Sequence, residues 1–279
     1  MIATGREPLA DQAVLETKYP ASRDEMLALE RASLNAWPAA MGLWDRDWLL
    51  RLTPGAGSRR INSVNIFSSQ DIVDADARVG RMIGHFDRHG IEPVFRWTPL
   101  FAKPVTDHLL GLGWSLTAQT VVMTRPVAVG EAVRTATTGH PDAVHVRNCD
   151  VVPWIEKLTA VDPSAAPAAA VMQRTLDGIV PACNRLVLEA ADGQPVACAL
   201  AVADGTYLGL LLVHVSADRR RRGLGAALLS AAMEFGAQTG ARTAWLQVEA
   251  ANTAALALYA GAGFEQRYRY IYLQRKSGS

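Results

Sequence analysis

Residues 213–226 read Val213-His214-Val215-Ser216-Ala217-Asp218-Arg219-Arg220-Arg221-Arg222-Gly223-Leu224-Gly225-Ala226. The apolar, strand-like run YLGLLLVHV ends in a short polar loop, and an Ala/Leu-rich segment with helical composition begins at the two glycines and runs to 239. A loop of this kind aims successive backbone N–H groups outward at the positive end of a helix dipole, which makes a seat for phosphate. Gly223 and Gly225 bring no Cβ atoms to hold an anion away from those amides. The expectation is a phosphorylated cofactor on this loop.

The glycine spacing narrows the choice. No GxxxxGK[ST] string occurs anywhere in the chain. A dinucleotide fingerprint fails at its third glycine, because Gly223-Leu224-Gly225 is followed by Ala226, Ala227 and Leu228. What fits is R-x-x-G-x-G/A, as Arg220, Gly223 and Gly225 directly after a strand. This resembles the pyrophosphate-binding motif of the GCN5-related N-acetyltransferase (GNAT) superfamily. A second stretch, LQVEAANTAALALYAGAGF at 246–264, resembles that family's other signature, strand–Asn–helix–Tyr–x₃–Gly-Phe. The resemblance covers roughly residues 144–276.

It implies acetyl-CoA as cofactor and an α/β fold of mixed, mostly antiparallel strands flanked by helices. It also implies roles. The strand carrying Val213, His214 and Val215 pairs with the pantetheine and polarises the thioester through a backbone N–H. Arg220, Arg221, Arg222, Gly223, Leu224, Gly225 and Ala226 hold the pyrophosphate. Tyr259 faces the sulfur and protonates the leaving thiolate, and Glu249 accepts the proton of the amine. Each has a plainer alternative: a buried strand, a tyrosine packing a helix face, a solvated carboxylate at a strand end. Asn252 either caps its helix or also touches the pantetheine. His214 is a rival base by its ordinary pKa, yet it alternates onto the face of Leu208, Leu210 and Leu212, which reads as a half-buried position.

The chain also repeats itself. A shift of 150 sets Gly90, Gly111 and Gly113 on Gly240, Gly261 and Gly263, Trp114 on Phe264, and the helical segment 75–89 on 225–239. The reading is a tandem of two GNAT-like halves, 1–128 and 144–276, joined by an aperiodic Pro/Gly/Thr-rich linker at 129–143. The first copy has Gln70-Asp71-Ile72-Val73-Asp74-Ala75 where the second has its Arg/Gly loop, and Leu109 at the tyrosine position. Carboxylates repel phosphate, so only the second copy is expected to bind CoA. The first is expected to shape the acceptor site. Trp37, Trp44, Trp48 and Trp97 with Arg59, Arg60 and Arg96 crowd it; taken singly each reads first as core tryptophan or surface arginine, and as ligand wall they single out Arg96 and Trp97, on the strand matching 243–247, as acceptor contacts.

Composition bounds the rest. At 279 residues, 49% hydrophobic and 20% charged, the chain reads as an ordinary globular protein. A net charge of +1 gives no global case for nucleic acid, and the arginine run 219–222 fits phosphate on a loop better than a nucleic-acid surface. No membrane span or signal-like N-terminus is evident, and Cys149, Cys183 and Cys198 show no metal or disulfide spacing. The expectations are a cytoplasmic monomer or homodimer, no metal, and a small-molecule or peptide amine as acceptor. The reaction expected is acetyl transfer by direct attack in a ternary complex, since no Cys or Ser nucleophile accompanies the motif. The competing class is a CoA-binding regulatory or interaction protein without turnover.

Overall fold

The computed structural model describes residues 13–128 and 145–275, so the expected linker lies outside the described residues. In the first half, Ser22 caps α1 (Arg23–Ala36) by accepting from the Glu25 amide at 3.2 Å. There follow β1 (Met41–Asp45), β2 (Trp48–Leu52), β3 (Ser63–Ile66), α2 (Ala75–Arg88), β4 (Val94–Trp97), α3 (Lys103–Gly111) and β5 (Trp114–Pro126). The second half runs β6 (His145–Asn148), α4 (Val151–Val161), α5 (Ala169–Asp177), β7 (Ala182–Glu189), β8 (Pro195–Asp204), β9 (Tyr207–Val215), α6 (Leu224–Gln238), β10 (Thr243–Glu249), α7 (Thr253–Gly261) and β11 (Glu265–Arg275).

The repeat holds at the level of single hydrogen bonds. Shifted by 150, α3 falls on the limits of α7, and α2 falls on α6 to within one residue. Gly90 and Gly240 both take positive φ, 65° and 82°, and so do Gly113 and Gly263, at 82° each. These helix ends need the left-handed conformation that glycine adopts without a Cβ penalty. The next amides close the same turns: Ile91 donates to the Phe86 carbonyl at 3.0 Å, and Ala241 to that of Gly236 at 2.9 Å.

The halves do not keep separate sheets. One 11-stranded sheet runs β1-β2-β3-β4-β11-β5-β10-β9-β8-β7-β6. Each half has one parallel pair, β3 with β4 and β9 with β10. The strand on the far side of each pair comes from the other half: β11 lies antiparallel to β4, and β5 lies antiparallel to β10. The two exchanged strands then pair with each other. Val121 and Met123 of β5 are therefore buried in the core beneath α6 and α7, while Ile271 and Leu273 of β11 are buried with Phe86, Phe95 and Leu109 of the first half. A third cluster covers the other face, where α1, α4 and α5 pack over Tyr268, Tyr270 and Tyr272.

Two glycines set the closeness of the layers around the parallel pair of the second half. A Cβ on Gly209 would meet the Trp245 ring at 2.5 Å, and one on Gly236 would meet Leu208 at 2.6 Å. With hydrogen in both places, β9 lies against β10 and α6 lies flat on β9.

Candidate active site

The parallel pairing of β9 with β10 is short. Tyr207–Leu210 pairs with Thr243–Leu246, after which β9 continues to Val215 on β8 alone and β10 continues to Glu249 on β5 alone. A V-shaped cleft opens between them. Leu212 lies where it opens, with φ 49°, in a bulge that sets two residues of β9, Leu212 and Val213, against one of β8, Ala199. A leucine in the left-handed region is strained, and such strain in a strand re-aims its backbone. β5 carries a similar bulge, in which Ala118, φ 52°, and Gln119 lie opposite Ile271 of β11.

At the end of β9 the chain turns through Ser216 and a short 3₁₀ segment, Ala217–Arg219, to the head of α6. Arg221 and Gly223 are both left-handed, at φ 64° and 85°. This alternation curls backbone N–H groups around a concavity. The first helical hydrogen bond here runs from Ala227 to the Gly223 carbonyl at 3.0 Å, so the amides of Leu224, Gly225 and Ala226 belong to the open first turn. Gly225 has a further reason that the sequence did not disclose. A Cβ there would meet Leu258 of α7 at 2.9 Å, so this glycine sets how closely α6 and α7 pack.

In α7, Asn252 caps the helix by accepting from the Ala255 amide at 3.0 Å. Tyr259 is 8% exposed, edge-on to Phe264, in the cluster that Val213 and Val215 pack against. Burial pushes its phenol up to about 12. His214 is half-buried and its Nδ1 lies 2.8 Å from the Asp162 carboxylate. The Ser164 hydroxyl, ahead of His214, holds that carboxylate below the usual range against the effect of burial.

On the opposite face the cleft widens into a pocket of about 430 Å³, a size suited to a small-molecule ligand. Leu212 and Glu249 line it from the second half, Trp37, Arg59 and Arg60 from the first, and Tyr270 from the exchanged strand β11. Gln247, also in the wall, accepts from the Tyr270 hydroxyl at 3.3 Å and donates to Ser33 at 2.9 Å. The sheet thus brings Glu249 into the pocket, and places Val213, Val215 and Tyr259 on the other side of the cleft.

Arg96 and Trp97 take other places than the acceptor wall expected for them. Trp97 is 6% exposed in the first-half core. Arg96, 3% exposed, is gripped by both oxygens of the buried Glu30 and lies 3.8 Å over the Tyr270 ring, behind the pocket. A buried guanidinium needs such a partner, and α1 supplies it. Of the two aspartates in the first copy's loop, Asp71 is likewise buried against Arg78 at 2.9 Å. Asp74 sits left-handed at the head of α2, φ 51°, as Gly223 does at the head of α6. Leu109, in the tyrosine position, is wholly buried. The wall residues missed by sequence reasoning, Tyr270 and Tyr272 above all, had a signal in the alternation of Tyr268, Tyr270 and Tyr272 onto one face of a strand. Among the described residues no cluster of metal-ligating side chains occurs and no helix is long and apolar enough to cross a membrane.

A splayed parallel pair, a strained bulge and an amide-lined loop at a helix head define the GNAT superfamily of N-acetyltransferases, here in tandem form. The chain belongs to the family described as "Probable histone acetyltransferase Rv0428c C-terminal", whose model matches residues 24–273. It is similar in fold to a GCN5-related N-acetyltransferase from Kribbella flavida, with TM-score 0.66, 15% identity, and 93% of this chain and 97% of that one covered. A tandem GNAT protein from the clavulanic acid biosynthesis pathway gives TM-score 0.65 at 11% identity, covering 98% and 94%. Mycothiol acetyltransferase of Clavibacter sepedonicus is 40% identical over 79 residues, 28% of this chain, and the match spans only 26% of that relative's length.

Proposed function

We propose that the chain transfers an acetyl group from acetyl-CoA to a primary amine by direct attack in a ternary complex, with the cofactor held by the second half alone. The observation that carries this reading is the cleft opening between β9 and β10 at the left-handed Leu212, with the 220–226 loop at its end. The fit of the cofactor rests on donors present in the chain: the open amides of residues 224–226, the αL turn at Arg221 and Gly223, and strand backbone at Val213 and Val215 free of a β10 partner. Bound there, acetyl-CoA supplies an activated carbonyl with a thiolate leaving group.

The residues divide the proton work. Backbone N–H groups of the splayed strand polarise the carbonyl oxygen. Glu249 accepts the proton of the ammonium, directly or through water, freeing the lone pair that forms the new C–N bond as C–S breaks. Tyr259 gives its proton to the departing sulfur. The thioester sulfur before cleavage is a far weaker base than a thiolate, and even to the free thiolate, about 8.5 for a thiol, a phenol near 12 gives its proton uphill by about 5 kcal/mol. The proton therefore moves as the C–S bond breaks, and the phenol is neutral throughout the working pH range. Asp74 in the first copy would meet a phosphate with negative charge, so that copy holds no cofactor.

Two variants test the assignment, read as free CoA released across a panel of amines. Tyr259→Phe is expected to lower kcat by about 10²-fold with acetyl-CoA affinity nearly unchanged, the pattern of a group acting in the transition state. Weakened binding with unaltered kcat would make Tyr259 a packing residue. Glu249→Gln is expected to lose about tenfold at pH 7 and to recover as pH rises toward 10, where the amine deprotonates in solution. Full activity with a flat pH response removes Glu249 from the mechanism.

A further inference from the structure

The charges around the 430 Å³ pocket do not balance. Its wall on the first-half side is the turn Arg59–Ile61, and both arginines of that turn line the pocket. Arg59 is held in place by neutral partners, the Thr117 hydroxyl at 3.1 Å and the Gln274 carbonyl at 2.7 Å, and lies 5.0 Å from the centre of the Tyr272 ring. Among the described residues, the Arg60 guanidinium has no hydrogen-bond or ion-pair partner, while its backbone carbonyl is pinned by Arg51 at 2.9 Å. Arg51 and Arg96 lie buried behind this wall. The carboxylate buried with them, Glu30, is committed to Arg96 and the Tyr268 hydroxyl.

The surplus of positive charge leaves its mark on the neighbours. Arg51 is pulled down to about 9, by burial first and then by Arg96 and Arg60. Burial opposes ionisation of Tyr270, yet Arg60 and Arg96, together with hydrogen bonds from Thr120 and Tyr272, hold that phenol below its usual value. Facing this wall in the same pocket is Glu249, a single carboxylate at the end of β10. The pocket therefore has a negative group from the second half and a fork of positive groups from the first.

We propose that the acceptor is a zwitterion, a small amine that also carries an oxyanion. Its ammonium faces Glu249, and its carboxylate or phosphate is received by Arg60 beside Arg59. The proposal rests on the reading of this pocket as the acceptor site. A guanidinium fork is the side chain best matched to a planar or tetrahedral oxyanion. Polyamines and lysine-rich tails bring further cations against guanidiniums that already lack counter-charge, and the pocket disfavours them.

The test uses full-length protein and matched compounds. Turnover is compared for L-phenylalanine against phenethylamine, for O-phosphoethanolamine against ethanolamine, and for spermidine and a lysine-rich peptide. In parallel, N-acetyl-L-phenylalanine and N-acetylphenethylamine are titrated calorimetrically into protein saturated with CoA. The expected result is at least a tenfold preference for an oxyanion-bearing member in one or both readouts. The pair that shows it distinguishes carboxylate from phosphate. Arg60→Gln, shown to be folded by its thermal melt, should reduce that preference to about threefold or less, and Arg60→Lys should retain part of it. Equal treatment of the matched pairs, absence of any binding, preference for spermidine or the peptide, or a preference untouched by Arg60→Gln overturns the proposal. An oxyanion preference in the titration without release of CoA from acetyl-CoA and any amine would instead sustain the pocket's chemistry and count against acetyl transfer.

Discussion

Gly223→Asp is expected to abolish acetyl-CoA binding, by about 100-fold or more, while leaving the protein folded. Gly223 sits at φ 85° at the head of α6, next to the open amides of the first turn. An aspartate accepts the left-handed conformation more readily than most side chains, and its Cβ and carboxylate crowd those amides; its counterpart Asp74 makes no capping hydrogen bond in the first copy. The substitution also places a negative charge where the pyrophosphate would lie, and loss of about 3 kcal/mol of charge-assisted bonding corresponds to two orders of magnitude. The fold already tolerates this arrangement, because Asp74 occupies the left-handed position before α2 in the first copy. Calorimetric titration and a thermal melt check both halves of the expectation. Unchanged affinity in a folded variant would remove the 220–226 loop from the cofactor site.

Dividing the chain within 129–143 is expected to be more damaging than the repeat suggests. Residues 144–279 alone lose β5, so β10 keeps no partner along Thr243–Glu249 except for the short parallel contact with β9. The core beneath α6 and α7 loses Val121, Met123 and Val127. At roughly 1.5–3 kcal/mol for each fully buried aliphatic side chain, the loss rivals the roughly 5–15 kcal/mol that keeps an ordinary domain folded. The fragment also carries away β11, whose Ile271 and Leu273 belong to the core of the other half. The expected outcome is that neither piece melts cooperatively alone and that co-expression restores both. A fragment 144–279 that folds and binds acetyl-CoA by itself would show that the exchanged strands are dispensable.

That exchange is also where the sequence stopped being legible. The shift of 150 places identified equivalent segments, and two of its three glycine pairs, Gly90 with Gly240 and Gly113 with Gly263, recur as left-handed helix ends. It could not say which copy each last strand pairs with, because β5 and β11 are equivalent and either pairing buries the same pattern. The turn at 220–226 into α6 was readable because glycine spacing and helix-forming composition are local. Arg96 was not, since its partner Glu30 lies 66 residues away on a helix whose placement is tertiary. For Gly225 the residue was readable and the packing part of its reason was not, because Leu258 reaches it across the fold. Arg59 and Arg60 stood out in the sequence as part of an arginine- and tryptophan-rich first half. Their distinction from Arg96 depends on the turn between β2 and β3 facing the cleft.

We propose that one copy of the repeat holds the cofactor and the other does not. Isothermal titration of the full-length protein with acetyl-CoA tests it most directly. One site per chain is expected, lost in Gly223→Asp and kept when Asp74 is replaced by glycine. Two equivalent sites per chain, or a single site that survives Gly223→Asp, would contradict it.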